Sequence, residues 1–98
     1  MARKSIMQNL ENKKCYICWS TGRVQQHHCM HGTANRRLAD QDGLIVNLCP
    51  HCHMRLHDDG IGDLALMKDA ENAWLKYNQL EVGDWIYRYG KNYLEVDE

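Results

Sequence analysis

The sequence predicts a small α+β domain held together by a structural metal site and extended by helices towards its C-terminal end. Three observations predict it. Two Cys-x-x-Cys pairs, Cys15 with Cys18 and Cys49 with Cys52, bracket thirty residues. Between them lie an extended segment and a short β-rich run, and after them comes an apolar stripe of helical period. At 98 residues the chain is too short to bury a large core, and a structural metal is the usual supplement at that size.

Residues 1–14 read as a polar lead-in with a helical turn through Ile6 and Leu10. Cys15 to Cys18 forms a knuckle that grips one face of a tetrahedral Zn2+, and the second pair closes that site. A disulfide framework is the other use of such cysteines, but it needs an oxidising compartment. The segment Met1 to Ile6 runs into the polar stretch Gln8 to Lys14 with no apolar signal region, so a cytoplasmic setting is expected. Cys29, the fifth cysteine, reads as a small buried apolar residue beside the site.

Thr21-Gly22 makes a turn, and Val24 to Met30 follows as a strand presenting His27 and His28 to opposite sides. Gly32 to Gly43 is expected to be a loop carrying the basic pair Arg36-Arg37. Leu44 to Leu48 is a β run able to pair back on the histidine strand. Pro50 suits the first turn of a helix, which runs to about His57 and stops at Asp58-Asp59-Gly60, with Gly60 as its left-handed cap. A longer helix begins with Asp63 as N-cap and buries Leu66, Met67, Ala70, Ala73, Trp74, Tyr77 and Leu80; Gly83 breaks it. Asp84 to Gly90 reads as a short closing helix with aromatic anchors. The whole, residues 1–98, is taken as one domain, with a metal-bound core over 15–57 and a helical extension over 63–94.

No apolar stretch is long enough to cross a bilayer, so no membrane is expected. The formal net charge of -1 conceals an uneven distribution. Residues 1–55 carry eight basic and three acidic side chains, whereas residues 56–98 carry four basic and ten acidic ones. The half that holds the metal ligands is therefore the basic half, which suits a nucleic-acid partner.

All six histidines lie between positions 27 and 57. His53 and His57 are four apart and leave one face of the same helix. A third imidazole from the facing strand completes a three-nitrogen site with open positions, as a catalytic ion requires. Adjacent His27 and His28 cannot both reach one ion without distorting the strand, so one ligates and the other is free to act as a base.

Taken together, Cys15-x-x-Cys18, His27-His28, the glycine-bounded segment, the β run and Cys49-Pro50-His51-Cys52-His53-x-x-x-His57 resemble the HNH nucleases in their four-cysteine version. The resemblance covers about residues 15–57, and the closing Arg88 to Leu94 is similar to small phage-encoded members. It implies a ββα-metal, treble-clef-like core with a structural Zn2+ on Cys15, Cys18, Cys49 and Cys52. His27, His53 and His57 would hold a catalytic divalent ion, one of Zn2+, Ni2+, Co2+, Mn2+ or Mg2+, and His28 would be the general base.

The implied reaction is one-metal hydrolysis of DNA phosphodiesters in a bacterial or phage-infected cell. Arg36, Arg37 and Arg55 would hold phosphates, and a homodimer is one arrangement for cutting both strands. One position departs from the family: the asparagine that orients the base falls at Leu44, so Asn47, Asn35 or a backbone carbonyl is expected to replace it. Two other readings remain open: a zinc module that binds DNA or protein with little or no catalysis, and a second structural zinc held by histidines and Cys29.

Overall fold

The computed structural model describes residues 5–96. Two short strands, β1 (Gln25–His28) and β2 (Ile45–Leu48), pair antiparallel with His27 opposite Val46 and His28 opposite Ile45. Every residue of β2 is buried, so this run forms the floor of the molecule. After β2 comes helix α2 (Pro50–Asp59), with Pro50 in its first turn, where the missing N–H removes no helical bond. Gly60 closes it at φ 69°, and its N–H returns to the carbonyls of Arg55 and Leu56, as the sequence predicts.

The segment between the strands corrects one expectation. Thr33–Asp42 is a helix, α1, rather than a loop. Only Ala39 is buried along it, so its apolar pattern is too sparse to announce a helix. The local chemistry favours one nonetheless. Ala34, Arg36, Arg37, Leu38, Ala39 and Gln41 are good helix formers, and Gly43 supplies a left-handed cap at φ 77°.

The C-terminal part contains α3 (Asp63–Asn78) and α4 (Val82–Tyr89). Gly62, not Asp63, occupies the N-cap position of α3; Asp63 sits in the first turn, where a carboxylate meets the positive end of the helix dipole. Leu66, Ala70 and Trp74 are buried as expected. Tyr77, in the last turn of the helix, and Leu80 are exposed instead; Leu80 falls outside the stripe because the helix ends at Asn78 and Gln79 turns left-handed before Gly83 is reached. Gly83 itself lies inside α4, whose start is capped by the Asp84 carboxylate accepting the Glu81 N–H at 2.9 Å. At the N-terminal side, Leu10–Asn12 forms a single 3-10 turn with Leu10 buried.

Trp85 stacks on Tyr89 with ring centroids 4.0 Å apart and meets Trp74 edge-on at 5.5 Å. Asp42, at the end of α1, gathers the polar edges of this cluster. Its carboxylate accepts from Trp74 Nε1 at 3.0 Å, Arg88 Nε at 2.7 Å and the Tyr89 hydroxyl at 2.6 Å. Burial and this carboxylate push the Tyr89 phenol above its ordinary pKa. The helix that was expected to be a loop is thereby tied to both C-terminal helices. No helix among the described residues is long and apolar enough to cross a membrane.

Candidate metal and histidine sites

Cys15, Cys18, Cys49 and Cys52 offer four sulfur atoms that all lie within 4.8 Å of one another, and none is in a disulfide. Cys15 and Cys18 belong to a hairpin closed by a bridge between Lys14 and Thr21; the Cys15 N–H donates to Ser20 O at 2.8 Å. The hairpin is pinned to β2 by Tyr16 N–H donating to Asn47 O at 2.7 Å. Cys49 is the N-cap of α2 and Cys52 lies one turn on, so the helix start delivers the second pair.

The thiols do not ionise alike. Hydrogen bonds from Ser20 push Cys18 down to about 6, outweighing the opposing effect of desolvation. Desolvation works against Cys15, but the backbone of Cys18, Cys49 and Ile17 outweighs it and leaves the thiol below its ordinary value. Desolvation and the neighbouring thiols push Cys52 up instead. Four thiolates this close need a cation to ionise together, and a tetrahedral sulfur set of this size fits Zn2+. The cluster could therefore hold a structural zinc ion.

The histidines form a second constellation, which shares α2 with the cysteines. His27 on β1 faces His53 on α2 with ring centroids 5.8 Å apart, and His53 meets His57 at 4.6 Å. A cavity of about 330 Å³ is bordered by His27, His28, His31, His53, His57 and Arg36. His27 Nε2 is buried without a hydrogen-bond partner. Burial, and then the nearby His53 and His31 rings, push the His27 imidazole down to about 4, so it stays neutral with a lone pair. An orphaned ring nitrogen facing two further imidazoles is a donor set that fits a borderline divalent ion. The histidine nitrogens are more widely spread than the sulfurs: among the described residues the cysteines are the one group of three or more potential ligands within 4.8 Å.

Two histidines of this cavity are held by carboxylates that the sequence did not point to. His28 Nε2 lies 3.2 Å from Asp40 Oδ1 on α1, and His31 Nε2 lies 2.6 Å from Asp63 Oδ1 on α3. Neither asparagine expected to serve His28 does so. Asn47 is buried, donating through Nδ2 to Leu10 O at 2.9 Å and through its N–H to Gln8 Oε1 at 2.8 Å. Asn35 reaches the Tyr89 carbonyl at 3.5 Å. The signal for Asp40 was its position four residues after Arg36 on α1, invisible while that segment read as a loop.

Of the three arginines singled out by sequence, Arg36 borders the histidine cavity and Arg37 is exposed beside it on α1. Arg55 lies apart, against Ile17, Ile61 and the Cys52 side of the cysteine cluster. Cys29 joins neither ligand set. It is fully buried with Sγ 3.7 Å from Met7 Sδ, and burial pushes its thiol up to about 12.

No family model matches the chain, and no solved structure matches it. An alignment of 59 positions that covers 52% of this chain is 37% identical to a Schizosaccharomyces pombe protein described as "Uncharacterized 91 kDa protein in cob intron". The match spans 7% of that much longer protein.

Proposed function

We propose that this chain is a metal-dependent endonuclease of the HNH type that hydrolyses DNA phosphodiester bonds. The observation that carries the reading is the histidine cavity itself: an orphaned His27 nitrogen, the adjoining rings of His53 and His57, and a separate His28 anchored by a carboxylate at 3.2 Å. The resemblance in ligand order along the sequence supports it.

A carboxylate accepts hydrogen bonds, so Asp40 favours the His28 tautomer with hydrogen on Nε2 and a lone pair on Nδ1. That lone pair takes a proton from water as the water oxygen attacks phosphorus and the bond to the 3′ oxygen breaks. His27, His53 and His57 would hold the divalent ion, which supplies charge stabilisation to the phosphorus centre and the departing oxygen. Arg36, at the rim, pairs with a non-bridging phosphate oxygen.

The test is cleavage of supercoiled plasmid after mild chelation and add-back of Mn2+, Co2+, Ni2+, Zn2+ or Mg2+. His28→Ala should keep fold and metal content and lose about two to four orders of magnitude in rate. His53→Ala should lose an exchangeable ion while the cysteine-bound one stays. Wild-type rates in His28→Ala would end the base assignment. The wider spread of the histidine nitrogens favours a second reading, a zinc module without catalysis; DNA retention with no cleavage under any ion would move the conclusion there.

A further inference from the structure

Between Glu11 and Asp40 the sequence carries five basic side chains, Lys13, Lys14, Arg23, Arg36 and Arg37, and no acidic one. Three of them, Lys13, Lys14 and Arg23, flank the cysteine hairpin and are exposed. Near the tip of that hairpin stands Trp19, 73% exposed. Its backbone is left-handed at φ 67°, a conformation in which glycine would be less strained than any bulky residue. The turn needs only the Trp19 N–H, which donates to Cys15 O at 2.9 Å; the indole contributes nothing to closing it. Nor does the core need it, since Trp74 and Trp85 fill that role and are buried.

The indole is therefore a large aromatic face held out to solvent on a hydrogen-bonded turn beside the cysteine cluster, within a basic stretch. It also borders a cavity of about 450 Å³, together with Lys14, Tyr16, Gln8, Asn12 and Asp69. Gln8, Asn12 and Tyr16 are engaged with Lys14 O, Lys14 N–H and Asp69 respectively, so the walls are fixed in place. Asp69 is the single acid of this lining, and as an acceptor it suits an exocyclic amine or ring N–H of a base.

We propose that this hairpin is a second nucleic-acid contact, in which an unpaired DNA base stacks on Trp19 and sits at the mouth of the cavity. Lys13, Lys14 and Arg23 meet the phosphates on either side. The base must be unpaired, because its neighbours in a duplex already cover both faces. The inference rests on the nuclease reading and sharpens it: the substrate is DNA with a single-stranded stretch beside the cut.

The protein carries its own probe, since Trp19 is the exposed tryptophan of the three in the sequence. Zinc-loaded His28→Ala protein is titrated with a 20-nucleotide single strand and with the duplex of the same sequence, followed by sedimentation and by tryptophan emission. The single strand should bind more tightly and quench the exposed indole. Trp19→Ala should weaken single-strand binding about fivefold or more while leaving duplex binding nearly unchanged, and Trp19→Phe should recover part of the loss. Lys14→Gln should lower the salt slope by about one unit.

Single-strand binding without quenching, or with unchanged affinity in Trp19→Ala, overturns the proposal while plasmid cleavage by the wild type keeps the nuclease reading intact. If the wild type neither binds DNA nor cuts it, the nuclease reading and this proposal fall together.

Discussion

Replacing Asp40 with alanine separates the base from the group that aims it. The side chain is 40% exposed, and its bond to His28 is a single contact of 3.2 Å. Losing a general base entirely removes about a hundredfold to ten-thousandfold of rate, which sets the ceiling. Partners that orient an active imidazole are worth about tenfold to a hundredfold. A long bond to a part-exposed carboxylate, where water can take its place, belongs at the lower end. The expected loss is therefore about tenfold, or about 1.4 kcal/mol in the barrier. Initial nicking rates should show it in kcat, with KM held, because Asp40 is not placed to touch phosphate. Asp40→Asn should restore most of the rate, since its amide oxygen still accepts from Nε2. Rates within twofold of wild type in Asp40→Ala, or equal damage in both variants, would refute the reasoning.

Cys52→Ser should give a largely unfolded chain by circular dichroism, because a thiolate-bound zinc contributes about 10 kcal/mol or more and small domains are stable by about 5–15. Native spectra and an unchanged melting point would remove the cysteines from a structural role. Glu71 offers a pH test: it is fully buried, its Oε2 has no partner, and desolvation raises its pKa despite the Tyr93 N–H donated to Oε1 at 2.7 Å. A raised folded-state value means stability is greatest while the carboxyl is protonated and falls as pH climbs from 4.5 through that value. Glu71→Gln should therefore be more stable than wild type, by a margin that widens between pH 4.5 and 7 in urea titrations. A constant margin would show that Glu71 does not titrate across that range.

Much of the architecture could be read in advance where one residue type has one physical use. Paired cysteines at two-residue spacing, a proline opening a helix, Gly60 closing it and a β-rich run leading into the second cysteine pair each admit few alternatives. What escaped was amphipathic structure with little apolar content. Helix α1 buries Ala39 alone, so periodicity could not reveal it, and with it vanished the reason for Asp40. The His31–Asp63 pair was hidden for another reason. It joins residues 32 apart in sequence, and Asp63 already had a plausible local use as a cap. Asn47 misled in the opposite sense, being near the expected position yet committed to Leu10 and Gln8.

The clasp on Asp42 bears on the order in which the chain is made. Helix α1 carries Asp40 two residues before Asp42, and Asp42 is gripped by Arg88, 46 residues further on. Every proposed ligand and the proposed base leave the ribosome well before that arginine does. On the nuclease reading, a half-finished chain would hold its metal-binding residues with the aiming helix unfastened. The full rate would arrive only with α4, so that a chain halted before it cuts more slowly and is a lesser hazard to the DNA around it.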